Sequence, residues 1–239
     1  MNQLWIWVLK IAYRPIVRRA AKRCLTGRMV DPAAPEKGRW LRSDLDPYLE
    51  DTWNRVNRIL PSARFDELPN FGNRHNVFLA VVTMAAYQSL LLRNVEQHYA
   101  ADLVADVGWD VYSKLLRVAY LPWRLTTLDP QKRMNRTLRA LMIFPFSAPG
   151  YPGYEVKVIA DSSRCLTHWT SCPPQNFVRR WVEENGDGGE LDAFFRSWCL
   201  YDWPGADVLA GGSRGDHYER PHTMSKGDSV CDMCWRAKP

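Results

Sequence analysis

The sequence predicts an α+β fold, with a helical N-terminal half packed on a small, mainly antiparallel sheet in the C-terminal half. Three observations carry that prediction. Apolar residues recur at helical spacing from Leu49 to Ile143. The stretch Ser147-Ala148-Pro149-Gly150-Tyr151-Pro152-Gly153 is too rich in turn formers to continue a helix. Beyond it, apolar and polar residues alternate with the period of strands at 154–160, 218–223 and 230–235. With 239 residues, 46% of them hydrophobic, the chain can bury one large core. The expected layout is a basic amphipathic arm at 1–28, a linker at 29–47, and a single α+β domain at 48–239, helical over 48–145 and mixed over 146–239.

The arm reads MNQLWIWVLKIAYRPIVRRAAKRCLTGR. Leu4, Trp7, Val8 and Ile11 share a helical face with seven Lys or Arg behind them, and no acid precedes Asp31. This is the composition of an interfacial helix, whose apolar face enters a membrane surface while its cations meet anionic headgroups. The same residues suit a helix laid on its own domain or on a second subunit. Pro15 is expected to break it. The apolar run 4–9 is too short to cross a bilayer, and it precedes the positive charge, the reverse of a secretory signal.

In the linker, Asp31-Pro32-Ala33-Ala34-Pro35 opposes regular structure. Leu49, Trp53, Val56 and Leu60 then define a helix ending before Pro61. A loop at 62–74 leads to the most apolar segment, 77–92, whose Thr83, Gln88 and Ser89 favour a central buried helix over a membrane span. Helix is expected to continue through 93–118, with Val95, Tyr99, Leu103, Val107 and Val111 on one side, and to return at 130–143. After the strand at 154–160, two short helices are expected at 175–184 and 191–200. Gly211-Gly212 introduces a closing hairpin turned at Gly227-Asp228.

Net charge is +6, yet the domain without its arm is close to neutral. A nucleic-acid partner is therefore not expected. The six cysteines fall mostly in the last third of a chain too long to need disulfide staples, and they are read as reduced thiols.

Candidate chemistry gathers in that last third. A cysteine nucleophile needs a neighbouring base or cation, and a hairpin would bring His222 and Asp232 close to Cys231. Asp202, with Cys199 at a helix end, offers a second acid-base group. Arg220 presents a fork suited to a small carboxylate, although a cross-strand ion pair with Glu219 or Asp232 would use it as well. Cys231 as a small buried apolar residue is the plain alternative. Cys231-Asp232-Met233-Cys234 is also a C-x-x-C, and zinc could draw on Cys165, Cys172, His168 or His222. Cys165 and Cys172 are too far apart for a knuckle, however, and Cys231 and Cys234 would face opposite sides of a strand, so no metal is expected.

The combination Arg164-Cys165, Trp198-Cys199-Leu200-Tyr201-Asp202 and Arg220-Pro221-His222-Thr223-Met224-Ser225-Lys226-Gly227-Asp228-Ser229-Val230-Cys231-Asp232 resembles the L-2-amino-thiazoline-4-carboxylic acid hydrolase family. Family members carry a cysteine after a strand, a C-x-x-D at a helix end, and a closing R-x-x-T-x-x-x-G-D-x-x-C-D. The likeness covers roughly residues 48–236. It implies hydrolytic opening of a thiazoline ring at its C–N bond, in a pocket formed by Cys199, Asp202, Arg220, Thr223, Gly227, Asp228, Cys231 and Asp232. The chain departs from the pattern in its arm, in Cys234-Trp235 at the end, and in Leu166-Thr167-His168-Trp169 where members commonly have a proline.

The expectation is a hydrolase-like enzyme with no cofactor. Cys231, Asp232, His222, Asp202 and Cys199 would be catalytic, and Arg220, Thr223, Asp228 and Cys165 would bind substrate. The location would be cytoplasmic, peripheral at a membrane if the arm engages one, and the chain could self-associate. Two alternatives keep the same residues: a membrane-associated isomerase or hydratase of an apolar lipid or terpenoid, using Cys and Asp for proton transfer, and a metal- or haem-binding sensor.

Overall fold

The computed structural model describes residues 4–212 and 215–237. The first three residues of the expected arm and the last two of the expected domain lie outside the described residues. The fold is α+β: helices dominate the N-terminal half, and a four-stranded antiparallel sheet lies in the C-terminal half. The chain divides into two compact units.

The first unit takes the chain up to Asp66, then Val77–Val111 and Phe177–Trp198, and it is helical. Helix α1, Leu4–Leu25, runs straight through Pro15 instead of breaking there. The lost backbone bond is outweighed by burial further along, since Tyr13, Ala20, Ala21 and Leu25 are all buried. Trp5 meets Phe65 edge to face at 4.9 Å, and Tyr13 lies against Phe78 at 6.2 Å. The cations are spent locally: Arg18 pairs with Asp46 at 2.8 Å, Arg23 with Asp110 and Arg28 with Asp106, while Arg14 stacks on Trp53. The helix thus lies on its own unit by its other side. Leu4, Trp7, Val8 and Ile11 form the exposed edge.

Helix α2, Arg42–Ile59, starts inside the expected linker, where Asp44 accepts the backbone N–H of Leu41 at 2.7 Å and closes its first turn. Helix α3, Phe71–Leu91, is the expected central buried segment. It does not run on into the next helix. Asn94 takes a left-handed conformation, and its N–H and that of Val95 return to Leu91 and Leu90, the hydrogen-bond pattern of a Schellman stop. Leu90 and Val95 then share one core cluster with Leu25, Trp40, Tyr87 and Leu103. Glu96 restarts the chain as α4, Gln97–Thr126, by accepting the N–H groups of His98 and Tyr99. The unit closes with the later part of α6, Pro173–Asn185, and with α7, Glu190–Ser197.

The second unit takes Glu67–Asn76, Tyr112–Asn176 and the stretch from Cys199 on. Helix α5, Pro130–Ile143, has the bounds its sequence announces: Asp129 caps it by accepting the N–H of Lys132, and Pro130 needs no N–H partner there. Strand β1, Glu155–Ala160, pairs with β2, Cys165–Ser171. Helix α8, Asp202–Leu209, precedes the two-residue β3, Tyr218–Glu219, and β4, Cys231–Trp235. The sheet order is β1-β2-β4-β3, so β4 is an inner strand. Cys165 lies opposite Trp235, and Trp169 opposite Cys231.

One core cluster joins Leu116 and Tyr120 of α4, Met134 and Leu138 of α5, Ala206 and Leu209 of α8, and Cys165, Tyr218 and Trp235 of the sheet. A second holds Tyr154, Trp169, Met224 and Cys231. Gly153 is required beside it: a Cβ there would come within 2.3 Å of Asn73 Oδ1, the atom that accepts the Tyr154 N–H. The closing segment is therefore less of a hairpin than its alternation suggests. After Glu219 the chain leaves the sheet and makes a short 3-10 turn, Met224–Lys226, before Gly227, at φ 105°, turns it into β4.

Candidate functional site

All the residues of the candidate site belong to the second unit. Cys231 opens β4 on its buried face, since alternation along the strand puts it on the side of its partner Trp169. The 3-10 turn folds back over it. The Met224 N–H donates to the Cys231 sulfur at 3.1 Å, and Thr223 Oγ1 lies 3.5 Å from the same sulfur. Thr223 Oγ1 is 3.1 Å from Ser225 Oγ, which is 3.2 Å from Cys199 Sγ. Two hydroxyls thus connect two thiols. In each of these three contacts either atom can donate, whereas the Met224 N–H can only donate to the Cys231 sulfur. Burial pushes the Cys199 thiol up to about 12, so it remains a protonated donor at neutral pH. Burial also pushes up the Cys172 thiol, close enough to feel Cys199 and Cys231.

Next to Cys199, α8 begins with Asp202. Its carboxyl accepts Tyr218 Oη–H at 3.0 Å and Arg220 Nη1–H at 2.8 Å. Burial raises this carboxyl to about 6, against the pull of Arg220 towards lower values. The Arg220 side chain is 1% exposed and lies against an edge-to-face pair of rings, with its guanidinium carbon 4.7 Å from the Trp203 ring centre and 5.9 Å from that of Tyr218. Its Nε and Nη2 are buried and have no hydrogen-bond partner, and the same holds for Trp169 Nε1 in the cluster around Cys231. Buried donors left unpaired are costly and uncommon. Here three of them stand among thiols, hydroxyls and a carboxyl.

The structure thus brings together Cys199, Asp202, Arg220, Thr223 and Cys231. His222 and Asp232 are placed elsewhere. Asp232 follows Cys231 on the strand and so faces the other way, opposite His168. It accepts the His222 N–H at 2.7 Å and binds His222 Nδ1 at 2.9 Å, with the imidazole 58% exposed. Asp232 holds the imidazolium up, and His222 holds Asp232 down, though burial works against the latter. The expected neighbours His222 and Asp232 do meet, and no hydrogen bond joins His222 to Cys231 among the described residues.

Asp228 also has a local role. Its Oδ2 accepts the Thr223 N–H at 2.7 Å and fastens the turn. Cys165 sits opposite Trp235, four positions along the sheet from Trp169 and Cys231, in the other core cluster, where burial raises its thiol to about 11. The distance along the strand, about 13 Å, separates it from the thiols at 199 and 231. Cys234 points away from Cys231, and no group of three or more His, Cys, Asp or Glu among the described residues is arranged to hold a metal ion.

Sequence reasoning passed over Ser225, Tyr218 and Trp203. Ser225 lies inside the quoted closing motif two places after Thr223, which was the available signal. The contacts of Tyr218 and Trp203 with Arg220 come from chain returns that no local pattern announces. No known family model, curated protein or solved structure matches this chain.

Proposed function

We propose that the chain is a cysteine-dependent hydrolase cleaving a C–N bond at an amidine-like carbon of a small carboxylated substrate, in the manner of the L-2-amino-thiazoline-4-carboxylic acid hydrolases it resembles. The observation that carries this reading is the buried Arg220 guanidinium. It spends one nitrogen on Asp202 and keeps Nε and Nη2 unpaired, which is the edge a carboxylate takes in a two-point grip.

With the carboxylate held there, the Cys231 sulfur is the nucleophile, fed by the Met224 N–H and the hydroxyl of Thr223. The Cys231 thiol adds across the ring C=N bond, its sulfur to the amidine carbon and its proton to the ring nitrogen. The ring C–N bond then breaks, and its nitrogen takes a proton from the Asp202 carboxyl, which titrates near enough to neutrality to give one. Water next adds to the same carbon and displaces Cys231 as a thiol, leaving a carbamoyl group on the substrate sulfur, while Asp202 recovers its proton.

The test is ring opening of L-2-amino-thiazoline-4-carboxylate by the purified full chain. The wild type should turn over, and Cys231→Ser should abolish turnover with an unchanged melting temperature. Full activity in Cys231→Ser would overturn the nucleophile, and a wild type that neither binds nor opens the ring would overturn the substrate class.

A further inference from the structure

A different surface of the second unit has no part in this chemistry. Along the C-terminal half of α4, Val118, Leu121 and Leu125 follow one another at i, i+3 and i+7, and Leu115 and Leu128 extend the stripe. All are exposed, from 47% at Leu115 to 97% at Leu128. The opposite side of the same helix, Leu116 and Tyr120, is buried in the core, so the helix is apolar on both sides and only one is used. Ile143 at the end of α5 and Phe144 just beyond it are exposed too.

Charge says what the open side fits. Residues 114–144 hold seven Lys or Arg and a single acid, Asp129, whereas the rest of the chain beyond the arm is acidic. Arg117, Arg124, Lys132 and Arg139 have no ion-pair partner among the described residues. In the arm, by contrast, Arg18 and Arg23 of α1 and Arg28 just beyond it are committed to carboxylates. On a helical wheel Arg117 and Arg124 flank the apolar stripe, the positions from which guanidinium groups reach phosphates while leucines enter the acyl boundary. On the other side of the stripe an open pocket of about 590 Å³ is lined by Trp123, Thr126, Arg136, Arg139, Ala140 and Ile143, with the Arg136 guanidinium carbon 5.7 Å from the Trp123 ring centre. An apolar wall with two guanidiniums at one site suits a phospholipid headgroup above its glycerol and first methylenes.

We infer that the exposed face of α4 and α5 between Lys114 and Phe144 is a peripheral binding surface for a bilayer of anionic phospholipid. The inference is independent of the reaction assigned to Cys231. An apolar stripe alone would suit a second copy of the chain equally, but a cluster of unpaired cations facing its own image repels, and one facing anionic headgroups does not.

The experiment is co-sedimentation of the full chain with vesicles of phosphatidylcholine alone and of phosphatidylcholine mixed with phosphatidylglycerol. Binding is expected to the mixed vesicles only, and to weaken as salt is raised. Leu121→Asp combined with Leu125→Asp, and separately Arg117→Glu combined with Arg124→Glu, should each lower partitioning by about tenfold or more. All four side chains are exposed, so far-ultraviolet circular dichroism and melting should stay as in the wild type. Trp7→Asp combined with Ile11→Asp in α1 is the control and should retain binding. Loss of binding in that control alone, equal binding to both vesicle types, or no binding with loss of a dimer in the Leu121/Leu125 variant would overturn the proposal.

Discussion

Asp202 holds Arg220 by one nitrogen only: Oδ2 accepts Nη1–H at 2.8 Å, and the other two guanidinium nitrogens tested, Nε and Nη2, remain buried and unspent. With Nη1 spent and both remaining nitrogens free, the pair fixes the cation without using it up. If the free edge grips a substrate carboxylate, Arg220→Lys should raise KM far more than it lowers stability. A lysine keeps the countercharge beside Asp202 but offers no planar fork. Losing one charge-assisted bond of about 1.5–3 kcal/mol predicts a KM increase of roughly tenfold to a hundredfold, read from steady-state kinetics. An unchanged KM would remove Arg220 from substrate binding.

The same carboxyl sets a pH dependence. With Asp202 as the proposed proton donor in its neutral form, kcat/KM should fall as pH rises through about 6. A bound carboxylate adds a second negative charge next to it, which raises the carboxyl further, so the descending limb of kcat should lie at higher pH than that of kcat/KM. The sign for stability is the same. A carboxyl lifted above its unfolded value favours the fold fully below the ordinary aspartate range, and that contribution is lost as pH rises through the folded value. Profiles whose limbs coincide would argue against a shared site for Asp202 and the substrate carboxylate.

His222 provides a contrast with Cys231. Its imidazole is exposed and tied to Asp232 on the far side of β4. His222→Ala is expected to keep turnover within about twofold of wild type, as a surface substitution would. A loss as complete as that of Cys231→Ser would show that the imidazole reaches the thiol during turnover.

Leu25→Ala tests the standing of α1. Leu25 is 1% exposed and packs with Trp40, Leu45 and Tyr87. Truncating it should cost about 2–5 kcal/mol, seen as a lower denaturant midpoint. A helix resting loosely on the surface would lose almost nothing.

Several parts of this structure were legible in the sequence, for physical reasons that can be named. Asp129 and Pro130 mark the start of α5 because both act locally, one as acceptor for a free N–H and the other as a residue needing none. The buried segment around Ala85 was equally plain. The stop between α3 and α4 was not, since Asn94 signals it only through a left-handed backbone that asparagine tolerates and does not require. Strand β2 was missed because its buried face is Cys165, Thr167, Trp169 and Ser171, half of it polar, which hides the alternation. Helix α8 was missed because Trp203-Pro204-Gly205 reads as a turn, although a proline in the first turn of a helix is harmless. In the site, the composition identified the thiols, Asp202 and Arg220. His222 pairs with Asp232 and not with Cys231 because the chain leaves the sheet after Glu219, where strand had been expected to run on to 223.

The strand order has a consequence for biosynthesis. As the chain leaves the ribosome, β1 and β2 can pair at once, but the inner place beside β2 stays open until β4 is made, more than sixty residues later. Contacts that far apart in sequence form slowly, and an unfilled strand edge is an invitation to the wrong partner. Cys231 enters with that last strand, after Cys199, Asp202 and Arg220 have been made, so the cluster around the buried guanidinium is completed only when the sheet closes.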